Sequence, residues 1–102
     1  MNEEWKQEFE WDLGKEKINI AKHGITFEEA KTVFSDPKAL IEENPYSTPG
    51  EDRAVIIGIS KTLKILFVVH IEQGEIIRLI SARRADKQET KRYFDNLSLG
   101  ED

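Results

Sequence analysis

Residues 54–86 read AVIIGISKTLKILFVVHIEQGEIIRLISARRAD, and this stretch decides the fold. It holds three β-rich runs, Ala54 to Ser60, Ile65 to Ile71 and Ile76 to Ala82. Lys61-Thr62-Leu63-Lys64 and Glu72-Gln73-Gly74-Glu75 separate them and are short enough for consecutive antiparallel hairpins, so a meander is expected.

The second hairpin sets which side chains share a face, because a slip of one residue reverses every side chain of a strand. A two-residue Gln73-Gly74 turn would place His70 opposite Ile77, but Gln suits the positive-φ first position of a type I′ turn poorly. A three-residue loop of Glu72, Gln73 and Gly74, with the glycine left-handed, instead places His70 opposite Ile76. On that register Ile65, Phe67, Val69, Ile71, Ile77 and Leu79 face the helices. Leu66, Val68, His70, Ile76, Arg78 and Ile80 face away, so one histidine and one arginine leave the core together. In the preceding run Val55, Ile57 and Ile59 are the apolar set, and Ala54, Ile56, Gly58 and Ser60 form a mostly small face that would admit a ligand close to the backbone.

Toward the N-terminus, Glu8 to Trp11 reads as a short edge strand, with Phe9 and Trp11 on one face. Asp12 suits a helix N-cap, Leu13 to His23 the helix, with Ile18 and Ala21 on its stripe, and Gly24 its left-handed end. Thr26 and Glu29 have capping-box spacing between Ile25 and Ala30 at staple positions, so a second helix begins at Phe27 and buries Phe27, Ala30 and Phe34. Asp36-Pro37 stops it. Ala39 to Glu42 reads as a strand and Asn44 to Gly50 as a loop. Asp86 and Glu89 repeat the capping spacing before a last helix edged by Tyr93, Phe94 and Leu97. The expected class is α+β, an antiparallel sheet with helices on one face, in the order β-α-α-β-β-β-β-α. Residues 1–102 are expected to form one domain, with 1–7 as a flexible acidic tail.

Composition bounds the chemistry. With no cysteine, disulfides, zinc thiolates and cysteine nucleophiles are excluded. The acidic start lacks the pattern of a secretory signal, and no apolar run approaches a membrane span, so a cytoplasmic protein without membrane contact is expected. The net charge of −5 argues against nucleic acid, but its distribution does not. Residues 1–52 carry 6 basic and 13 acidic side chains, whereas 53–94 carry 9 basic and 4 acidic ones, including all five arginines.

Arg83 and Arg84 at a strand exit, followed by Lys87, Lys91 and Arg92, supply donors for phosphate. The plainer alternative is pairing with Asp86 and Glu89. His70, titrating near ~6.5, suits proton transfer on an open sheet face but equally an ordinary polar position there. Tyr93 fits either the core or a platform beside the arginines. Arg53 fits a local pair with Glu51 or Asp52, His23 a helix end, and Glu28-Glu29 and Glu42-Glu43 solvated acids. No phosphate-loop, nucleophile-elbow or dinucleotide motif occurs, so no cofactor is expected.

In order along the chain, Phe9-Glu10-Trp11-Asp12, Lys22-His23-Gly24-Ile25-Thr26-Phe27-Glu28-Glu29-Ala30, Val33-Phe34 with Asp36-Pro37, Glu51-Asp52-Arg53, Val68-Val69-His70 and Ile77 to Ala85 resemble the BrnT family, toxins of type II toxin–antitoxin systems. The resemblance implies a RelE-like α+β fold, a ribonuclease that blocks translation, and neutralisation by a BrnA-like antitoxin with a ribbon-helix-helix domain. It points to Arg53, His70, Arg78, Ser81, Arg83, Arg84, Glu89 and Tyr93. The expectation is metal-independent RNA cleavage through 2′-hydroxyl attack, with His70, Arg78, Arg83, Arg84 and Tyr93 catalytic and Arg53, Ser81, Lys87 and Lys91 holding RNA. The expected substrate is RNA, including mRNA on a ribosome, and DNA is bound only through the antitoxin complex. The alternative is a non-catalytic RNA- or protein-binding module whose main ligand is the antitoxin-like partner.

Overall fold

The computed structural model describes residues 7–43 and 52–99, and its elements follow the expected order. Residues 1–6 of the acidic tail and the Asn44–Gly50 loop lie outside the described residues. Gln7, assigned to that tail, is tied down, because its amide donates to the Glu75 carbonyl at 2.7 Å.

Helix α1 spans Leu13–His23. The Asp12 carboxylate accepts the Lys15 N–H at 2.9 Å, and Gly24 closes the helix at φ 72° with its N–H on the Ile20 carbonyl. The buried stripe differs from the expected one. Ile18 is 59% exposed, and the residue turned inward is Asn19. Its amide donates to the Ile25 and Ala82 carbonyls at 2.9 and 2.8 Å, and its oxygen accepts the Ala82 N–H at 3.0 Å. Backbone partners on two elements offset the burial of that amide, so α1 is docked by hydrogen bonds rather than by an apolar stripe.

Helix α2, Phe27–Ala30, starts as expected with the Thr26 hydroxyl accepting the Glu29 N–H at 3.0 Å. It tightens into a 3-10 helix over Lys31–Ser35, which ends before Asp36-Pro37. Phe27, Ala30 and Val33 are fully buried along this pair.

The strands are β1 (Glu8–Glu10), β2 (Leu40–Glu43), β3 (Arg53–Ile59), β4 (Ile65–Gln73) and β5 (Ile76–Arg84), in the spatial order β1-β5-β4-β3-β2. β3 to β5 form the expected antiparallel meander, and β2 adds antiparallel to β3. β1 joins parallel to β5, setting Phe9 beside Ile77, so the sheet is mixed. Helix α3, Lys87–Leu99, lies on the face opposite α1 and α2, where Tyr93 packs with Val55 and Ile57. Helices therefore occupy both faces.

The hairpin register departs from the expected one. Gln73 pairs with Ile76 across a turn at Gly74 and Glu75, and Gly74 has φ 64°. Glycine opens this connection, as a two-residue type II′ turn requires, instead of closing a longer loop. His70 consequently pairs with Leu79, three residues from the expected partner. An odd offset exchanges faces. A bulge follows, so that Val69 pairs with Ser81. Leu66, Val68, His70, Ile77, Leu79 and Ala82 all lie on the side covered by α1 and α2, and Arg78 on the other. The small face of β3 is also occupied by protein. A Cβ at Gly58 would lie 3.1 Å from the Ala39 Cβ and 3.3 Å from the Val33 carbonyl, so the small residues admit the 3-10 helix and its exit, not a ligand.

Candidate nucleic-acid interface

Three cross-strand rows build the face that α1 and α2 leave uncovered. Arg53 pairs with Ile71, Ile71 with Arg78, and Arg78 with Glu10. Val55, Val69 and Ser81 form the next row, and Ile57, Phe67 and Arg83 the third. Alternation along each strand, with the bulge between Leu79 and Ser81 on β5, puts all of these on one side. α3 covers the β3 end of the rows through Tyr93 and Leu97, while Phe67, Val69, Arg78, Ser81 and Arg83 remain partly exposed.

Arg83 is the most constrained of the cations. Its Nη1 and Nη2 donate to the two Glu89 oxygens at 2.8 and 2.9 Å, and its guanidinium carbon lies 4.0 Å from the Phe67 ring centre. Glu89 also accepts the Asp86 N–H at 2.9 Å, and Asp86 accepts the Glu89 N–H at 2.8 Å. The capping box read from the sequence thus also orients an arginine. Burial alone would raise the Glu89 carboxyl, but bonds from Arg83 and the Asp86 N–H outweigh it and hold it below its usual value. Arg83 is pushed up, chiefly by its bonds to Glu89. Arg78 donates to Glu10 at 2.9 Å, with the two side chains 33% and 43% exposed. Arg92, on α3, pairs with Glu42 at 3.1 Å.

Arg53, Arg78, Ser81 and Arg83 are therefore brought together, and His70 is not. The expected sharing of one face by His70 and Arg78 is corrected by the register. His70 is completely buried 4.9 Å from Phe34, neither ring nitrogen has a hydrogen-bond partner, and burial lowers its pKa toward a neutral imidazole. Arg84 pairs with Leu66 and so points to the side opposite Arg83, where its charge is felt by Glu29. Tyr93 is buried, donating to Asp36 at 2.7 Å, and burial followed by that carboxylate pushes its hydroxyl up to about 12. Lys87 is exposed in the first turn of α3, and Lys91 pairs with Asp95 at 2.8 Å in solvent.

Two contributors were not found by sequence reasoning. Phe67 and Glu10 enter the site only through the cross-strand rows. Glu29, taken as solvated, in fact accepts the Ser60 hydroxyl at 2.8 Å and that of Thr62, with Lys64 at 3.8 Å. Among the described residues no three His, Asp or Glu side chains cluster as a metal site, and no helix is long and apolar enough to cross a membrane.

Residues 11–89 match the model of the family described as ribonuclease toxin, BrnT, of type II toxin-antitoxin system. This chain belongs to the BrnT family. Its structure is similar to the crystal structure of the Brucella abortus ribonuclease toxin, BrnT, with a TM-score of 0.59 and 28% identity over 80% of this chain and 100% of that one. No curated protein matches the sequence. The span shared with the BrnT family contains Arg53, Phe67, Arg78, Ser81, Arg83 and Glu89, whereas Glu10 and Tyr93 lie outside it.

Proposed function

We propose that this chain is a ribonuclease toxin whose RNA lies along the β4–β5 half of the open sheet face. One observation carries this reading: Arg78 and Arg83 flank Ser81 on a partly exposed surface, with an aromatic ring beneath Arg83. Aromatic and guanidinium groups side by side suit a base and its phosphate. The Arg78–Glu10 pair is half-exposed and worth at most about 1 kcal/mol, so a phosphate can displace the carboxylate. The Arg83–Glu89 pair is more buried and stays as the fixed edge of the site.

In the proposed reaction the 2′-hydroxyl oxygen attacks the adjacent phosphorus and the bond to the 5′-oxygen breaks. The products are a 2′,3′-cyclic phosphate and a 5′-hydroxyl. Arg78 and Arg83 stabilise the charge that grows on the phosphate oxygens, and protons exchange with water at the exposed face. No metal is needed for these steps. His70 and Tyr93 are structural here, since one is sealed in the core and the other is committed to Asp36. The net charge of −5 weakens capture of free RNA, which favours mRNA presented on a ribosome and hence inhibition of translation. Neutralisation falls to an antitoxin of the BrnA kind with a ribbon-helix-helix domain, and DNA is reached only through that complex.

A second reading, a non-catalytic module bound by its antitoxin, is favoured by the carboxylate already held by each of Arg78, Arg83 and Arg92. Incubation with defined RNA, with and without ribosomes and EDTA, separates the two. The enzyme predicts cleavage that survives EDTA, leaves cyclic phosphate ends and is lost when the 2′-hydroxyl at the cut is replaced by hydrogen. Intact RNA in every condition supports the module.

A further inference from the structure

Four cations, Lys61, Lys64, Arg84 and Lys87, stand at one end of the sheet, and of these Lys64 alone is paired, with Glu29 at 3.8 Å. Among the described residues Lys61, Arg84 and Lys87 make no ion pair, in contrast to Arg78, Arg83, Lys91 and Arg92. Lys61 and Lys64 lie on the turn between β3 and β4, Arg84 ends β5 and Lys87 begins α3. The register gathers them. Arg84 pairs with Leu66, the Ala85 N–H reaches the Ile65 carbonyl at 2.9 Å, and Lys64 adjoins that residue in sequence.

The turn carrying the two lysines is held firmly. Ser60 donates its N–H to the Lys64 carbonyl at 2.8 Å and accepts the Leu63 N–H on its own carbonyl at 2.8 Å. Its hydroxyl, like that of Thr62, donates to Glu29, and the Lys61 N–H donates to the Thr32 hydroxyl at 2.9 Å. Leu63 is fixed at φ 67° with 78% of its surface exposed, a left-handed conformation that a leucine keeps only when its surroundings impose it. Glu29, the acid facing Lys64 and Arg84, takes both hydroxyls on one oxygen and has Lys64 3.8 Å from the other. The result is a preorganised rim on which one carboxylate stands beside several cations, so that a net positive charge remains.

We propose that this rim is a phosphate track, in which Lys61, Lys64 and Arg84, continued by Lys87, guide RNA leaving the open face. The inference rests on the ribonuclease reading above. Arg83 and Arg84 are consecutive and point to opposite sides, so a strand that rounds the end of the sheet passes from one guanidinium to the other. Point charges on lysines suit such a track, because they hold a backbone without choosing a base. The expected signature is therefore length dependence: a short RNA confined to the open face does not reach the rim, and a long one does.

The test uses the full chain and 2′-O-methyl RNA, which resists 2′-hydroxyl attack, as a tetranucleotide and as an oligomer of about 20 nucleotides, with affinity measured against salt. Lys61→Ala/Lys64→Ala should weaken the long probe by about tenfold, lower its salt slope by about 1.4, and leave the tetranucleotide within about twofold. Lys61→Ala alone, which removes no ion pair, should give about half that change in slope. Lys17→Ala/Lys22→Ala removes equal charge from α1 and should alter neither probe. An unchanged long probe would overturn the track and leave the turn as a protein-facing surface. Equal losses in the α1 control, or on the tetranucleotide, would also overturn it. If the unsubstituted protein binds neither probe, the ribonuclease reading itself falls, and the track with it.

Discussion

Beneath α1 and α2, His70 is sealed against Phe34 with both ring nitrogens unpaired. On the other side of the same sheet, Arg83 keeps 35% of its side chain exposed while holding Glu89 with two nitrogens. The comparison teaches that the residue with the more versatile acid–base chemistry need not be the one placed for chemistry. A neutral imidazole can be tolerated in a core as a flat, mostly carbon ring, whereas a guanidinium must keep water or a carboxylate. The covered face spends its polar groups on holding elements together, and the open face keeps donors within reach of solvent.

The comparison breaks first on the open face. Arg83→Ala should reduce cleavage by about 100-fold to 1000-fold, as loss of a preorganised donor does, and Arg78→Ala should follow, both with unchanged far-UV circular dichroism. Retained cleavage in both variants would move the chemistry elsewhere. On the covered face the largest effect belongs to Asn19→Ala. It leaves the Ala82 N–H without its partner and frees α1, so urea unfolding should show a loss of about 2–3 kcal/mol with cleavage by the remaining folded protein preserved.

His70 sharpens the comparison through pH. Its folded pKa is depressed from 6.5, so below that value the unfolded chain binds a proton that the fold refuses. Stability should therefore fall as pH drops through the range just below 6.5. Melting of the unsubstituted protein and of His70→Leu across that range checks it, since the variant should lose this slope. Glu29 and Glu89, both depressed from 4.5, add a separate loss at more acid pH. The smallest effect is that of Tyr93→Phe, which removes the bond to Asp36. It should cost about 1 kcal/mol in a thermal melt and leave cleavage within about threefold.

Much of the fold was legible because short-range chemistry specified it. Asp12, Gly24, the Thr26–Glu29 pair and the Asp86–Glu89 pair act over three or four residues or at a single φ, and each marked its helix end correctly. Faces were harder. They depended on one turn, in which Gly74 stands first rather than last, and an odd slip there transferred Arg78 from His70's side to the opposite one. Ile18 misled for a related reason. Helical periodicity assumes that the docked stripe is apolar, while α1 docks through the amide of Asn19. Within the candidate site, Arg78 and Arg83 were found by residue type and Arg53 and Ser81 through the family resemblance, whereas Phe67 and Glu10 required the register.

The most direct test is the initial rate of RNA cleavage by His70→Leu, measured on protein shown to be folded by circular dichroism. Chemistry confined to the open face predicts a rate within about threefold of the unsubstituted protein, because the substituted ring touches no surface that RNA can reach. A loss of about 100-fold in a folded variant would contradict the account and return the imidazole to the reaction.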